Sequence, residues 1–114
     1  MAEKRAVREQ LPDVIDRLVA HIESGVGFDH AAWELSQKVD NELSRAFGAY
    51  LEEVKSAFDA ERREGVRREA LLNLARRFDV PELDAFAEAV IRADEQGISM
   101  LETLKGLSVQ FHAE

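Results

Sequence analysis

Apolar residues recur at intervals of three and four positions along almost the whole chain, which is the spacing of one face of an α-helix. The first stripe steps by 3, 1, 3, 1 and 3 positions and consists of Leu11, Val14, Ile15, Leu18, Val19 and Ile22. The strict apolar–polar alternation that is typical of strands is almost absent. The pattern therefore predicts an all-α chain.

Five more apolar stripes follow, separated by short polar segments. They consist of Phe28, Ala31, Ala32, Leu35 and Val39; Leu43, Phe47, Leu51, Val54 and Phe58; Leu71, Leu74, Ala75 and Phe78; Leu83, Phe86, Ala87, Val90 and Ile91; and Leu101, Leu104, Leu107 and Phe111. The third helix is predicted to be the longest and to run to Gly65. Six amphipathic helices joined by short turns predict a bundle of antiparallel helices.

Proline and glycine mark the predicted helix ends. Pro12 suits the first turn of the first helix, and Pro81 suits the first turn of the fifth. Gly25, Gly65 and Gly97 each follow a polar helix end and precede a β-branched residue. Each glycine is therefore predicted to cap the helix before it, with the next residue closing back over that helix.

Other helix starts carry side-chain caps. Asp40 and Asn41 precede the third helix, and Ser99 and Glu102 have the spacing of a capping box at the start of the sixth.

Composition narrows the function classes. The 114 residues suit one domain, and the absence of cysteine excludes a disulfide framework and a zinc–thiolate site. The net charge of −8 opposes nucleic-acid binding. No apolar run approaches the roughly 18 residues of a membrane span, and the first ten residues do not resemble a signal peptide. Taken by itself, the chain is expected to be cytosolic.

No catalytic constellation is recognisable. His30 and Glu34 lie four positions apart on one helix face and could supply two ligands to a metal. The sequence favours the interpretation that the two side chains are solvated or hydrogen-bonded to each other, since such spacings are common on charged helices. We therefore expect no enzymatic activity, no cofactor and no metal.

The best candidate for a partner-binding surface is a group of arginines around Gly65. It consists of Arg62, Arg63, Arg67, Arg68, Arg76 and Arg77, and residues 61–77 carry a local excess of three positive charges. Arginine forks favour carboxylates and phosphates, so an acidic partner or a lipid headgroup fits them. The alternative is internal pairing with Glu61, Glu64 and Glu69.

Trp33 is the single tryptophan of the chain. It lies beside Ala32 and near Leu35, so packing in the core is expected. An exposed position as an interface anchor is the alternative.

The order of short segments resembles the cytoplasmic domain of the type II secretion system F family of membrane platform proteins. The segments are QLPDVIDRL at 10–18, ESG at 23–25, FDHA at 28–31, REAL at 68–71, LARR at 74–77, PEL at 81–83, IRADEQG at 91–97 and ETL at 102–104. Together they extend over roughly residues 10–108. The chain looks most like the single-domain platform proteins of tight-adherence (Flp-type) pilus systems.

The resemblance implies that residues 10–112 form one helical domain on the cytoplasmic side of a bacterial or archaeal inner membrane, in a protein with flanking transmembrane helices. Residues 1–9 would be a basic, membrane-proximal lead-in, in line with the positive-inside rule. Such a domain docks the cytoplasmic assembly ATPase of a secretion or pilus machine and scaffolds pilin assembly. It hydrolyses nothing itself, and a homodimer is possible.

Two other hypotheses stay open at this point. One is a free-standing helical adaptor or dimerisation module. The other is a metal-dependent helical-bundle enzyme that uses His30 and Glu34.

Overall fold

The computed structural model describes residues 2–61 and 65–113, with side chains described from residue 4 onward. Over these residues the chain forms six α-helices and no strand: α1 (Ala2–Glu23), α2 (Phe28–Lys38), α3 (Glu42–Asp59), α4 (Val66–Arg76), α5 (Pro81–Gln96) and α6 (Met100–Ala113). The prediction of an all-α helical bundle is confirmed.

Consecutive helices pack side by side, and α1 closes the bundle by packing against α6, α2 and α3. Three phenyl rings join α2, α3 and α5 at the centre. The Phe47 and Phe86 rings lie edge to face with centroids 6.0 Å apart, and the Phe28 ring lies 6.5 Å and 6.4 Å from them. Aromatic pairs of this geometry stabilise a core by about 0.5–1.5 kcal/mol each beyond their buried area.

Helix α1 begins earlier than the sequence predicts. It starts at Ala2, so Pro12 lies inside the helix instead of in its first turn, and residues of the expected lead-in belong to α1. An internal proline lacks the N–H that would bond the carbonyl four residues earlier, at a cost of about 3 kcal/mol. Val7 and Leu11, which lie on the N-terminal side of Pro12, are both buried. Burial of such side chains is worth about 1.5–3 kcal/mol each, which offsets the lost bond.

Helix α3 ends earlier than predicted, at Asp59 and not at Gly65. Its last buried side chain is Val54, Ala57 and Phe58 still pack partly against the core, and residues 59–61 are exposed. A further turn would therefore bury no apolar surface. Glu61 takes a left-handed conformation with φ of 61°. Gly65 is also left-handed, but it directly precedes α4 and so does not cap α3. Residues 62–64 lie outside the described part.

The other predicted glycine and proline positions agree with the structure. Gly25 follows α1 with φ of 108°, and Pro81 is the first residue of α5. Gly97 caps α5 with φ of 69°, and its N–H and that of Ile98 both donate to the Ala93 carbonyl. The expectation that Ile98 closes over the helix is wrong, since it is 46% exposed. The turn satisfies the helix carbonyl through its backbone alone.

The side-chain caps are also confirmed. The Asn41 side chain accepts from the Ser44 N–H at 2.8 Å, and Ser99 Oγ accepts from the Glu102 N–H at 3.2 Å. None of the described helices has both the length and the apolar character needed to cross a bilayer.

Candidate functional site

A polar network ties α2, α3 and α4 together around Asp29. The Tyr50 hydroxyl donates to Asp29 Oδ1 at 2.7 Å, and Arg67 donates to Oδ2 through Nε at 3.0 Å and Nη2 at 2.8 Å. Asp29 lies in the first turn of α2, where a carboxylate is favoured by the helix dipole. Both carboxylate oxygens are therefore in use within the fold.

The pKa values of both Tyr50 and Arg67 are raised by their places in this network. Burial raises the pKa of Tyr50, and the charge and hydrogen bond of Asp29 act in the same direction. The hydrogen bond from Arg67 to Asp29 raises the pKa of the guanidinium. Tyr50 thus stays neutral and Arg67 stays charged, and the group holds three helices in register.

A cleft of about 360 Å³ opens beside the network, where the start of α2, the middle of α3, the first turns of α4, the C-terminal half of α5 and the start of α6 converge. Phe28, Leu71, Val90 and Met100 give it apolar lining, and Asp94 stands among its polar residues. We call this feature the Asp94 cleft. Its volume lies at the lower end of the range for ligand sites in proteins.

Asp94 differs from the other charged groups of the cleft. It is exposed, in the last turn of α5, and it forms neither a hydrogen bond nor an ion pair with any residue in the described ranges. Its neighbour Glu95 accepts from Arg68 Nε at 2.8 Å and from Nη2 at 2.5 Å. One of two adjacent carboxylates is thus paired directly with an arginine, whereas the other interacts with Arg67 through its charge alone.

Exposed apolar side chains flank the Asp94 cleft. Trp33 is 49% exposed, and its ring centroid lies 5.9 Å from that of His30, which lines the cleft. The expectation that Trp33 packs in the core is wrong, because Ala31, Ala32 and Leu35 occupy the buried face of α2. Ile98, which is 46% exposed, lies between Asp94 and Met100 in the chain.

The predicted arginine surface is divided by the fold. Arg67 is bound to Asp29 and Arg68 to Glu95, so neither pairs with the glutamates that the sequence suggested. Arg76 and Arg77, at the end of α4, are exposed and make no ion pair within the described residues. Arg62 and Arg63 lie outside the described part. Partner binding by these arginines stays a prediction.

His30 and Glu34 are brought together as their spacing predicts. His30 Nε2 lies 3.5 Å from Glu34 Oε1, and Lys38 Nζ lies 2.6 Å from Oε2. The hydrogen bond from Lys38 lowers the pKa of Glu34. Among the residues that the structure describes, no group of three or more His, Cys, Asp or Glu side chains could hold a metal ion. The pair is bonded locally along α2.

Sequence reasoning missed the Asp94 cleft and the role of Asp29. The available signal was weak: an acidic residue in the last turn of a helix, without a basic residue on the same turn, runs against the helix dipole. Comparison of the sequence with protein-family models, with curated proteins and with solved structures finds no match.

Proposed function

We propose that this chain is a non-enzymatic docking domain, the cytoplasmic domain of an inner-membrane platform protein in a type II secretion, type IV or tight-adherence pilus machine. In this role it binds the cytoplasmic assembly ATPase and scaffolds pilin assembly. The domain would act by differential binding: a partner that binds one conformational state of the machine more tightly than another shifts the population toward that state.

The observation that carries this proposal is where the resembling segments lie in the fold. ESG at 23–25 coincides with the end of α1, FDHA at 28–31 opens α2, PEL at 81–83 opens α5, and IRADEQG at 91–97 ends at the cap of α5. Segments that mark helix ends must keep their order if the same bundle is to be built. The agreement of these four segments with the ends of α1, α2 and α5 supports common architecture over a chance match of short motifs.

The exposed arginines at the end of α4 give the docking role a candidate contact. Arg76 and Arg77 have no ion-pair partner in the described part of the chain, whereas most of the protein is acidic, with a net charge of −8. An acidic surface on a partner would be attracted to this end of the bundle and repelled elsewhere.

Binding to the assembly ATPase of the same genome tests the proposal. We expect the chain to bind the purified ATPase. Arg76→Glu and Arg77→Glu should each raise the dissociation constant roughly fivefold to tenfold. Arg92→Glu is the matched control, because Arg92 is also exposed and has no ion pair among the described residues. It should change binding by less than about twofold. Isothermal titration calorimetry at two salt concentrations would measure the dissociation constants of the unsubstituted chain and the three variants.

Two results would contradict this assignment. One is the absence of binding at roughly 100 µM of each protein, well above the dissociation constants of most specific complexes. The other is a gene that lacks apolar segments of about 20 residues on both flanks of this domain, which would favour the adaptor hypothesis.

A further inference from the structure

The charges of the Asp94 cleft do not cancel. Asp29 uses one oxygen for Tyr50 and the other for Arg67, so this acid and this base neutralise each other. Asp94 has no hydrogen-bonded or ion-paired partner among the described residues, and its charge acts on Arg67 only from a distance, where it helps to raise the pKa of the guanidinium. The two carboxylates of Asp29 and Asp94 outnumber the one guanidinium of Arg67, so these three groups leave the cleft with an excess of one negative charge beside an apolar lining.

The position of Asp94 is unfavourable for the fold by itself. The unpaired carbonyls at a helix C-terminus carry partial negative charge, so a carboxylate in the last turn is repelled by about 0.3–1 kcal/mol. Glu95 is relieved by Arg68, whereas α5 has no basic residue in its last turn to relieve Asp94. The same carboxylate and the same carbonyls would both attract a cation.

The lining and the rim indicate what kind of cation fits. Phe28, Leu71, Val90 and Met100 offer apolar surface of the kind that the methylene stem of a lysine or arginine covers. Two of the three exposed large hydrophobic side chains in the described residues lie close to lining residues: Trp33 beside His30, and Ile98 in the chain between Asp94 and Met100. Aromatic and aliphatic groups exposed beside a charged cleft are typical of protein interfaces.

From this arrangement we propose that the Asp94 cleft receives a lysine or arginine side chain of a partner protein, which pairs with Asp94 while its stem packs on the apolar lining. Trp33 and Ile98 contact the backbone and neighbours of that residue. The proposal rests on the proposed function only for the identity of the partner, which would be the assembly ATPase or another component of the machine. The cleft is separate from Arg76 and Arg77 at the opposite end of α4.

A short peptide provides the probe. The full chain, labelled with ¹⁵N, is titrated with acetyl-Gly-Arg-Gly-amide and, as the neutral isostere, with acetyl-Gly-citrulline-Gly-amide. We expect millimolar binding of the arginine peptide, with amide shifts concentrated at residues 27–30, 66–71 and 94–100 and a change in the Trp33 indole signal. The citrulline peptide should bind roughly fivefold more weakly, which is the loss expected for one partly exposed ion pair.

Two variants separate the cleft from general charge attraction. Asp94→Asn should weaken the arginine peptide roughly fivefold. Asp84→Asn removes an exposed carboxylate near the other end of α5, ten residues or about 15 Å away. Because that separation exceeds the Debye length of about 8 Å in physiological salt, it should change binding by less than about twofold. Asp94→Asn also removes the conflict with the helix dipole, so it should unfold at a temperature equal to or higher than the unsubstituted chain.

The proposal fails if the amide shifts spread over the acidic surface, if both variants weaken binding equally, or if the arginine peptide produces no shifts at about 20 mM. The proposed function is judged separately by ATPase binding. A chain that binds the ATPase equally well with Asp94→Asn keeps the docking role and loses the cleft as its contact. A chain that binds the peptide in the cleft but ignores the ATPase keeps the cleft and loses that partner.

Discussion

Ser44 is a fully buried polar side chain on α3, and its hydroxyl has no hydrogen-bond partner among the described residues. Its backbone N–H is well used, since it donates to the Asn41 cap at 2.8 Å. A buried hydroxyl that lacks a partner costs about 1–3 kcal/mol relative to hydration. The side chain at this position therefore destabilises the fold while the backbone stabilises it.

Replacement of Ser44 by alanine is expected to raise the free energy of unfolding by about 1 kcal/mol, because it removes the unpaired hydroxyl and improves helix propensity. Urea denaturation at pH 7 would measure the change. Ser36→Ala is the control, since the Ser36 hydroxyl donates to the Trp33 carbonyl at 2.8 Å. It should alter the free energy by less than about 0.5 kcal/mol. A loss of stability in Ser44→Ala would mean that the hydroxyl has a partner after all.

Residues whose role depends on near neighbours in the chain were predictable. Asn41, Ser99 and Pro81 act within one helical turn, so their spacing was sufficient. Trp33 was not predictable in this way, because its exposure depends on which face of α2 the rest of the bundle covers. Asp29 was missed for the same reason: its partners Tyr50 and Arg67 lie 21 and 38 positions away.

At the scale of the helix, α6 contains a glycine that its packing does not require. Gly106 is exposed in the middle of α6, and a Cβ built there would meet nothing within 4 Å. Glycine in a helix interior is less favourable than alanine by about 0.5–1 kcal/mol because it loses more backbone entropy on folding. Gly97, by contrast, needs its positive φ of 69° to end α5.

The two glycines should respond to alanine in opposite directions. Gly106→Ala is expected to raise the free energy of unfolding by about 0.5–1 kcal/mol, and Gly97→Ala to lower it by about 1 kcal/mol because of the left-handed backbone. Chemical denaturation of both variants beside the unsubstituted chain provides the measurement. Equal effects of the same sign would show that local backbone preference does not govern these positions.

Helix existence was predictable from apolar spacing, but two helix ends were not. The start of α1 was misplaced because an internal proline reads locally as a first turn, and only the burial of Val7 reveals the helix before it. The end of α3 was misplaced because Gly65 is a stronger local signal than the loss of packing after Phe58. In both cases tertiary contacts decided where the helix runs.

At the scale of the whole molecule, polar contacts fasten α6 to α1. Ser108 Oγ donates to Asp16 Oδ1 at 2.5 Å, His112 Nε2 lies 2.8 Å from Asp16 Oδ2, and Lys105 Nζ lies 3.2 Å from Glu23. The hydrogen bond from Ser108, with His112 acting in the same direction, holds the pKa of Asp16 below its usual value of 3.8.

This lowered pKa gives the α1–α6 contact a pH dependence. Because the folded state holds the Asp16 proton less tightly than the unfolded state, the carboxylate stabilises the fold above pH 3.8 and loses that effect as the pH falls below it. Asp16→Asn should therefore lower the free energy of unfolding at pH 7 by about 0.5 kcal/mol, discounted for solvent exposure, and have little effect near pH 3.

Urea denaturation at both pH values tests this. Asp13→Asn is the matched control, because Asp13 pairs with Arg17 at 2.8 Å within α1 and does not reach α6. It should have a smaller effect at pH 7. If Asp16→Asn lowers the free energy of unfolding equally at both pH values, the residue stabilises the α1–α6 contact through packing and not through its charge.

Fold class was predictable at this scale, while the surfaces were not. The period of the stripes fixed six helices, yet the Asp94 cleft needs residues from five helices to converge, and no local pattern encodes that convergence. The division of the arginines between Asp29 and Glu95 likewise depends on how α4 lies between α2 and α5.

The packing of the first helix against the last has a consequence for synthesis. Asp16 and its partner Ser108 are 92 positions apart. At a translation rate of about 5–20 residues per second, α1 leaves the ribosome roughly 5–20 seconds before α6 does. The middle helices can pair with their neighbours as they emerge, but the face of α1 that packs against α6 stays uncovered until α6 emerges. We therefore expect the nascent chain to be a chaperone client until translation of α6 is complete.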